Sequence, residues 1–343
     1  MKLVSHLPIF QAPMAGGITT PKLVSTVSNS GAVGSFGFAY SSKKQIDKDL
    51  IEVRKRTGNP INANFFIFPK HINLSSKKCE IANKTLNKLP LYSKKNLFMD
   101  TPNIYVPNLE EQLDPIWIHK PEYLTFHFGL PPKHVLKKAH ALGIKVGVTA
   151  TCEKEANKIQ TLGADFIVAQ GIEAGGHRGT FNKSGRGDKK LRMRELLRVL
   201  KKCIKIPIIC AGGIMNGEDI ASVLNEGAAA VQMGTAFLCC DEAGTNITYK
   251  NYILEKRERR TVYTRGFSGR WAQCIENEFT SLMHGKSVLP FPLQFNLTTS
   301  LRNLAAETEN GEYQTFYAGE YFKKAQALPA ATLITQLAKE MNI

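Results

Sequence analysis

The sequence predicts an α/β protein built on a (β/α)8 barrel, and three observations lead to this fold class. Short aliphatic or β-branched runs alternate with amphipathic stretches over most of residues 1–238. About eight such runs occur, and eight parallel strands are the number that closes a barrel. The runs are mostly apolar, as expected for strands that are covered on both faces. A composition of 43% hydrophobic and 22% charged residues fits a folded globular chain.

The elements follow one another as strand and helix along the chain. The predicted strands cover residues 9–12, 32–35, 61–66, 123–127, 145–148, 166–169, 206–211 and 229–233. Helical patterns follow most of them, and Pro21 suits the first turn of the first helix. Gly163 and Gly227 end two of the helices just before the next strand, as helix-terminating glycines do.

Two stretches depart from this alternation and define the predicted domain organisation. The barrel covers residues 1–238, with a long insertion at about 67–106 that contains lysine and proline and lacks periodicity. Residues 239–311 are polar with helical patterning, which predicts a helical subdomain on the substrate side, added after the eighth strand. Residues 312–343 predict a closing helical segment that packs back on the barrel.

Composition also excludes several classes of protein. No apolar run approaches the ~20 residues of a membrane helix, and the first eight residues are too polar for a signal peptide, so we expect a cytoplasmic protein. Seven cysteines without a CxxC pair indicate reduced thiols. The net charge of +16 comes from scattered lysines that are not interleaved with aromatic residues. This pattern indicates a solvated surface that attracts small anions, and we expect no nucleic-acid partner.

Glycines recur in the loops that follow predicted strands. They are residues 16–17 after the first strand, 175–176 after the sixth, 212–213 after the seventh and 234 after the eighth. Glycine lets the backbone approach a ligand, and successive free N–H groups bind anions. Because barrels of this class bind phosphate after strands seven and eight, Gly212-Gly213 and Gly234-Thr235 predict a phosphate site.

Two histidines stand at the ends of predicted strands, where the active site of a barrel lies. His177 follows the sixth strand between Gly176 and Arg178, and we expect it to accept a proton near neutral pH. His127 ends the fourth strand and either faces the same cavity or is structural. The sequence contains no metal-ligand spacing such as H-x-E-x-H, so we expect no metal.

Five motifs in order resemble one family. They are Gln-Ala-Pro-Met-Ala-Gly-Gly at 11–17, Ala-Gln-Gly-Ile-Glu-Ala-Gly-Gly-His-Arg-Gly at 169–179, Ala-Gly-Gly-Ile at 211–214, Gln-Met-Gly-Thr at 232–235 and Thr-Arg-Gly-Phe-Ser-Gly-Arg-Trp-Ala at 264–272. Together they resemble nitronate monooxygenase, formerly called 2-nitropropane dioxygenase. The resemblance runs from residue 9 to about 335.

The resemblance implies a flavin mononucleotide (FMN) enzyme that oxidises alkyl nitronates with O2. His177 matches the base used when a neutral nitroalkane is the substrate, and Arg178 and His127 are candidate substrate contacts. Tyr105 of the insertion either reaches the substrate or packs. The residues that the resemblance assigns to the cofactor are Pro13, Met14, Ala15, Asn64, Gln170, Gly175, Gly176, Gly212, Gly213, Gln232, Met233, Gly234 and Thr235.

Three alternatives remain open at this stage. A flavin-dependent enoyl-acyl-carrier-protein reductase shares the barrel and the loop around His177, although that family generally has a small or aliphatic residue where Arg178 stands. An NADH:quinone reductase is the second alternative. The third belongs to another class, a non-catalytic basic barrel that binds RNA or a nucleotide, and it predicts a colourless protein whose nucleic-acid binding depends strongly on salt.

Overall fold

The computed structural model describes residues 5–69, 76–91, 106–182, 184–185, 187–255 and 258–342. An eight-stranded parallel sheet forms its centre, which confirms the predicted barrel. The ring closes where the Gln11 amide donates to the Val33 carbonyl and the Val33 amide donates to the Ile9 carbonyl, both at 2.9 Å. The strands are β1 (Ile9–Gln11), β2 (Gly34–Gly37), β3 (Ile61–Phe66), β4 (Tyr123–His127), β5 (Lys145–Ala150), β6 (Phe166–Gln170), β8 (Ile208–Ala211) and β9 (Ala230–Met233), while β7 (Gly176–His177) lies outside the barrel.

Helices follow the strands, and polar side chains cap several of their first turns. Thr20, Ser42 and Asn216 each accept a hydrogen bond from a backbone N–H of the helix that follows, which stabilises a helix start by ~1 kcal/mol. The first eight helices are α1 (Pro21–Asn29), α2 (Lys43–Arg54), α3 (Ser76–Asn87), α4 (Leu109–His119), α5 (Lys133–Ala141), α6 (Glu153–Leu162), α7 (Met193–Leu200) and α8 (Gly217–Asn225).

Aromatic side chains fill the amino-terminal end of the barrel interior. The ring of Phe10 lies 5.1 Å from that of Tyr123 and 6.3 Å from that of Phe166, measured between centroids. Gly147 makes room for this cluster, because a Cβ there would lie 2.1 Å from the Phe166 ring. The packed end leaves the carboxyl ends of the strands as the place where a ligand enters the barrel.

The region after the barrel contains strands as well as the expected helices. β10 (Thr261–Thr264) and β11 (Ala272–Ile275) pair antiparallel, and β11 also pairs with β7. The segment predicted as a helical subdomain at 239–311 thus contains two strands in addition to its helices. The helices of this region are α9 (Ile247–Leu254), α10 (Glu278–Leu282), α11 (Leu293–Leu297) and α12 (Thr299–Glu307).

A second hydrophobic core joins the insertion to this region. Ala82 and Leu86 of α3 pack in one cluster with Phe267, Phe279 and Leu301. The rings of Phe267 and Phe279 stack with centroids 4.2 Å apart. The insertion thus contributes a helix that covers the added region, whereas residues 70–75 and 92–105, including Tyr105, lie outside the described residues.

The last helix, α13 (Ala330–Glu340), returns to the barrel and packs against α1 and α8. Gly217 permits this close approach, because a Cβ there would lie 2.3 Å from the Leu337 carbonyl oxygen. The Gly217 N–H also donates to the Glu340 carboxylate at 2.7 Å. Within the described ranges, no helix combines the length and apolar character needed to cross a membrane.

Candidate active site

A cavity of about 450 Å³ opens at the carboxyl end of the barrel, within the usual size range of small-molecule sites. Every residue that the sequence assigns to cofactor or substrate lines it except Arg178. The cavity-lining residues of this set are Pro13, Met14, Ala15, Asn64, His127, Gln170, Gly175, Gly176, His177, Gly212, Gly213, Gln232, Met233, Gly234 and Thr235.

The glycines after β8 and β9 form an anion cradle at one end of the cavity. Gly212 and Gly213 have φ values of +114° and +74°, a region that glycine adopts without strain. Within the described part of the chain, the backbone N–H groups of Gly213, Gly234 and Thr235 have no protein acceptor. Three unpaired donors facing one cavity suit a phosphate group.

The loop after β1 lies across the mouth of the barrel. The Thr19 hydroxyl donates to the Met14 carbonyl at 3.1 Å and accepts from the Gly37 N–H at 3.0 Å. A Cβ at Gly37 would lie 2.6 Å from the Ala15 nitrogen, so this glycine lets the loop rest on the end of β2. These contacts fix Met14 and Ala15 as one wall of the cavity.

The Gln170 side chain at the end of β6 organises the loop that carries His177. Its Nε2 donates to the His177 carbonyl at 3.0 Å, and its Oε1 accepts from the Gly179 N–H at 2.7 Å. One Nε2 proton and one lone pair of Oε1 therefore remain for the expected cofactor contact of Gln170. Asn64 is likewise partly committed, since its Nδ2 donates to the Thr125 hydroxyl at 2.9 Å.

His177 lies on the cavity wall in a group of aromatic side chains. Its ring centroid is 6.1 Å from that of Phe66, 5.7 Å from Phe128 and 5.8 Å from Phe291. The Tyr317 ring is nearer still, at 5.0 Å. The walls around the imidazole are thus largely apolar, which favours its uncharged form.

The surroundings of His177 change its protonation. Burial, followed by the Arg270 guanidinium, lowers the pKa of His177 from 6.5 to about 3. The imidazole is therefore neutral at pH 7, but it is a weak base. A neutral imidazole can accept a proton, so the expected role of His177 as a base stays a prediction, although a base works best when its pKa lies near the working pH.

His127 lines the same cavity and has a similar environment. Its Nε2 donates to the His177 carbonyl at 3.2 Å, which leaves Nδ1 without a proton in the neutral ring. Burial, followed by Arg270, lowers the pKa of His127 to about 3. His127 thus supports the loop that carries His177 and also faces the cavity.

Arg178 does not contact the cavity, which corrects its expected role as a substrate contact. Its guanidinium is 2% exposed and pairs with the Asp188 carboxylate through two hydrogen bonds, at 2.8 and 3.0 Å. A third bond of 2.5 Å reaches the Gln170 carbonyl. The side chain is directed to these three acceptors and away from the cavity. Arg178 thus stabilises the loop that carries His177.

Two arginines near the site were not predicted from the sequence as functional residues. Arg270 is 4% exposed and lies over the Phe128 ring at 3.7 Å. Arg302 lines the cavity and lies over the Phe295 ring at 4.1 Å. Only Arg270 falls in a quoted motif, where its role was not assigned. The two guanidinium groups make this end of the cavity positive, and both lower the pKa of His177.

Metal chemistry finds no support in the described residues. They contain no group of three or more His, Cys, Asp or Glu side chains arranged to hold a metal ion. The seven cysteines are free thiols, and Cys210, Cys239, Cys240 and Cys274 are buried. Burial raises the pKa of Cys210 and Cys274 to about 12, which keeps these thiols protonated and unreactive.

Comparison with known proteins gives a consistent result. A family profile described as nitronate monooxygenase matches residues 1–340. The chain is 36% identical to nitronate monooxygenase of Pseudomonas aeruginosa, covering 98% of this chain and 96% of that protein. It is 35% identical to nitronate monooxygenase of Paraburkholderia phytofirmans, with coverages of 98% and 92%.

Solved structures agree with these relatives. The structure is similar to nitroalkane oxidase from Streptomyces ansochromogenes, with a TM-score of 0.93 and 32% identity over 99% of this chain and 96% of that one. FabK from Thermotoga maritima has a TM-score of 0.75 at 23% identity, covering 98% and 93%. The second likeness is one of fold alone.

The barrel and the cavity at the carboxyl ends of its strands define a (β/α)8 enzyme whose candidate active site combines glycine loops with a buried histidine. Such a site acts on a small molecule. The chain belongs to the nitronate monooxygenase family, because the family profile covers residues 1–340 and full-length relatives exceed 30% identity. It is therefore an oxidoreductase.

Proposed function

We propose that this enzyme uses FMN to oxidise alkyl nitronates, such as propionate 3-nitronate, with O2, and that it removes toxic nitro compounds in the cytoplasm. One observation carries the proposal beyond family membership. A single cavity connects the anion cradle at Gly213 and Gly234 with the neutral His177 and the Arg302 guanidinium. One end of the cavity would thus bind a phosphate group, and the other end would bind an anionic substrate.

The residues around the cavity fit FMN. The N–H groups of Gly213, Gly234 and Thr235 would hold the phosphate, and Met14 and Ala15 would lie against the ring system. The hydroxyl of Thr245, a residue 7% exposed, lines the cavity and lacks a hydrogen-bond partner in the described structure. An enclosed polar atom without a partner is expected where a polar ligand belongs.

The chemistry that FMN supplies when bound is the transfer of electrons from the nitronate to O2. The chain's own residues decide which substrate reaches it. A nitronate is an anion and requires no base, so the positive potential from Arg270 and Arg302 favours its binding. A neutral nitroalkane first has to lose its α-proton, and the low pKa of His177 makes this step slow. We therefore expect nitronates to be the better substrates.

The test is anaerobic mixing of the purified protein with reductants. The protein should be yellow, and the flavin released by heat should be FMN. Propionate 3-nitronate should bleach the flavin rapidly and NADH should not, and admission of O2 should restore the colour. Fast bleaching by NADH without a response to the nitronate would favour a reductase, and a colourless protein that retains nucleic acid would exclude both.

A further inference from the structure

Ser268 lies beneath His177 in the segment 264–272, one of the five motifs. It is 1% exposed, and its Oγ lies 2.9 Å from His177 Nε2. The same oxygen lies 3.1 Å from the Arg270 carbonyl oxygen and 3.2 Å from the Arg270 nitrogen. Ser268 therefore joins its own turn to the imidazole.

The contacts of this hydroxyl with His177 and Arg270 favour one arrangement of protons, and the Tyr317 hydroxyl is a further neighbour of Ser268. A hydroxyl donates once and accepts twice. If Ser268 donates to the Arg270 carbonyl and accepts from the Arg270 N–H, its remaining lone pair accepts from His177 Nε2–H. If it donated to His177 instead, its oxygen would face the Arg270 carbonyl at 3.1 Å with no proton between them. The first arrangement satisfies these three contacts, so it favours the form of neutral His177 that carries its proton on Nε2.

The surrounding backbone keeps this geometry fixed. Residue 272 on β11 pairs with His177 on β7, and the Arg178 N–H donates to the Trp271 carbonyl at 2.8 Å. On the other side of the turn, the Thr298 hydroxyl donates to the Phe267 carbonyl at 2.7 Å. Backbone contacts thus hold the turn on both sides of Ser268. If the imidazole of His177 rotated, Ser268 would not move with it.

The other ring nitrogen is left open to the cavity. The Tyr317 hydroxyl also faces Nε2, at 3.5 Å. His177 Nδ1 makes no hydrogen bond with the described residues, and it is not among the enclosed polar atoms without a partner. Since His177 lines the cavity, Nδ1 is the nitrogen available to a bound substrate.

We propose that Ser268 is a positioning residue that holds the Nε2–H tautomer of His177, so that unprotonated Nδ1 takes the α-proton of a neutral nitroalkane. This inference rests on the proposed function. In the step, the C–H bond breaks and its electron pair remains on the nitronate. The proton forms an N–H bond at Nδ1, and the imidazolium later releases it to water.

Kinetics of the flavin-loaded enzyme test the role of Ser268. In Ser268→Ala, we expect kcat for nitroethane to fall by about tenfold or more, as a misplaced general base costs part of its 10²–10⁴-fold effect. With ethyl nitronate, which needs no base, kcat should change less than about threefold. Thr264→Val is the matched control, because Thr264 supports the Gly266 N–H in the same turn without contacting His177. Equal losses on both substrates in Ser268→Ala would overturn the proposal.

Nitrogen NMR of protein labelled with ¹⁵N-histidine tests the tautomer without any turnover. The signal missing in His177→Asn identifies His177, and wild type should show a protonated Nε2 and an unprotonated Nδ1. Ser268→Ala should give a mixture of tautomers, and Thr264→Val should not. A protonated Nδ1 in wild type, or an unchanged tautomer in Ser268→Ala, would refute the inference. Because this readout requires no nitronate, it remains decisive if the proposed function fails.

Discussion

At the scale of a single residue, the surroundings of His177 determine its protonation and therefore its role in the reaction. In His177→Asn, oxidation of a neutral nitroalkane should fall by roughly 10²-fold, the lower part of the range for a general base. A nitronate has already lost the proton and should lose only a polar contact, on the order of 1 kcal/mol. Steady-state rates on nitroethane and ethyl nitronate measure both effects, with bound flavin determined in each preparation.

The flavin measurement separates base chemistry from structure in this variant. If both substrates slow equally while flavin stays bound, His177 positions the ligand and is not the base. If flavin is lost, the His177 side chain has a structural role, exerted through its contact with the Ser268 hydroxyl. His134→Gln serves as a control, because the His134 side chain is 66% exposed and pairs with Glu110 outside the cavity.

At the scale of an element, the loop after β8 is the part of the cradle that a single substitution disrupts most selectively. Gly213→Asp introduces a negative charge among the cradle N–H groups, a backbone strain at φ +74° and a Cβ at 3.2 Å from the Tyr321 ring. Flavin content after purification should fall to a small fraction of wild type. Gly143→Asp is the control, because Gly143 has φ +77° and nothing within 4 Å.

The two variants share the charge and the backbone strain and differ in location. Their thermal stabilities should therefore be comparable, with strain of roughly 1–2 kcal/mol in each. Full flavin retention in Gly213→Asp would mean that the phosphate is held elsewhere. Equal flavin loss in both variants would point to general destabilisation.

The elements that could be predicted from the sequence are those buried on both faces. All eight barrel strands appear near their predicted positions, because apolar runs such as 166–169 and 206–211 are characteristic of such strands. β10 and β11 were missed because they lie outside the alternation of strand and helix, in a region whose sequence is polar with helical patterning. β7 has only two residues and exists because β11 pairs with it.

Site residues could be predicted from the sequence where they lie together in one loop after a strand. Site residues that come together from distant segments could not. The glycine loops and His177 were found because their position after strands has a known use. Ser268 and Tyr317 lie 91 and 140 residues beyond His177 in the chain, and no local pattern indicates that they meet it. The direction of the Arg178 side chain depends on Asp188, which gives no sign of pairing in the sequence.

At the scale of the whole molecule, the barrel and the region after it both contribute residues to the active site. Met14 and Gln170 come from the barrel, whereas Phe295, Arg302 and Tyr317 come from the region after it, and all five line one cavity. A cavity between two packed regions removes its polar groups from water, and these groups are buried only when the whole chain is folded. The stability of the entire fold should therefore depend on the protonation of the two cavity histidines.

This dependence has a definite sign. The pKa values of His127 and His177 are lowered to about 3 in the folded state, against roughly 6.5 in the unfolded chain. Between these values the unfolded chain binds more protons, so acid favours unfolding. Stability from the neutral histidines is complete above about pH 7 and is lost as the pH falls below 6.5. For the pair, the free energy of unfolding should decrease by up to about 3 kcal/mol from pH 7.5 to 5.5.

Urea unfolding of flavin-loaded wild type and His127→Gln across this pH range measures the effect. Removing one of the two histidines should reduce the acid-dependent loss by about half, whatever the substitution does to stability at neutral pH. His134→Gln, the same kind of substitution at an exposed position outside the cavity, is the control. A pH dependence identical in wild type and His127→Gln would show that His127 titrates alike in both states. The low pKa of His127 in the folded protein would then have to be abandoned.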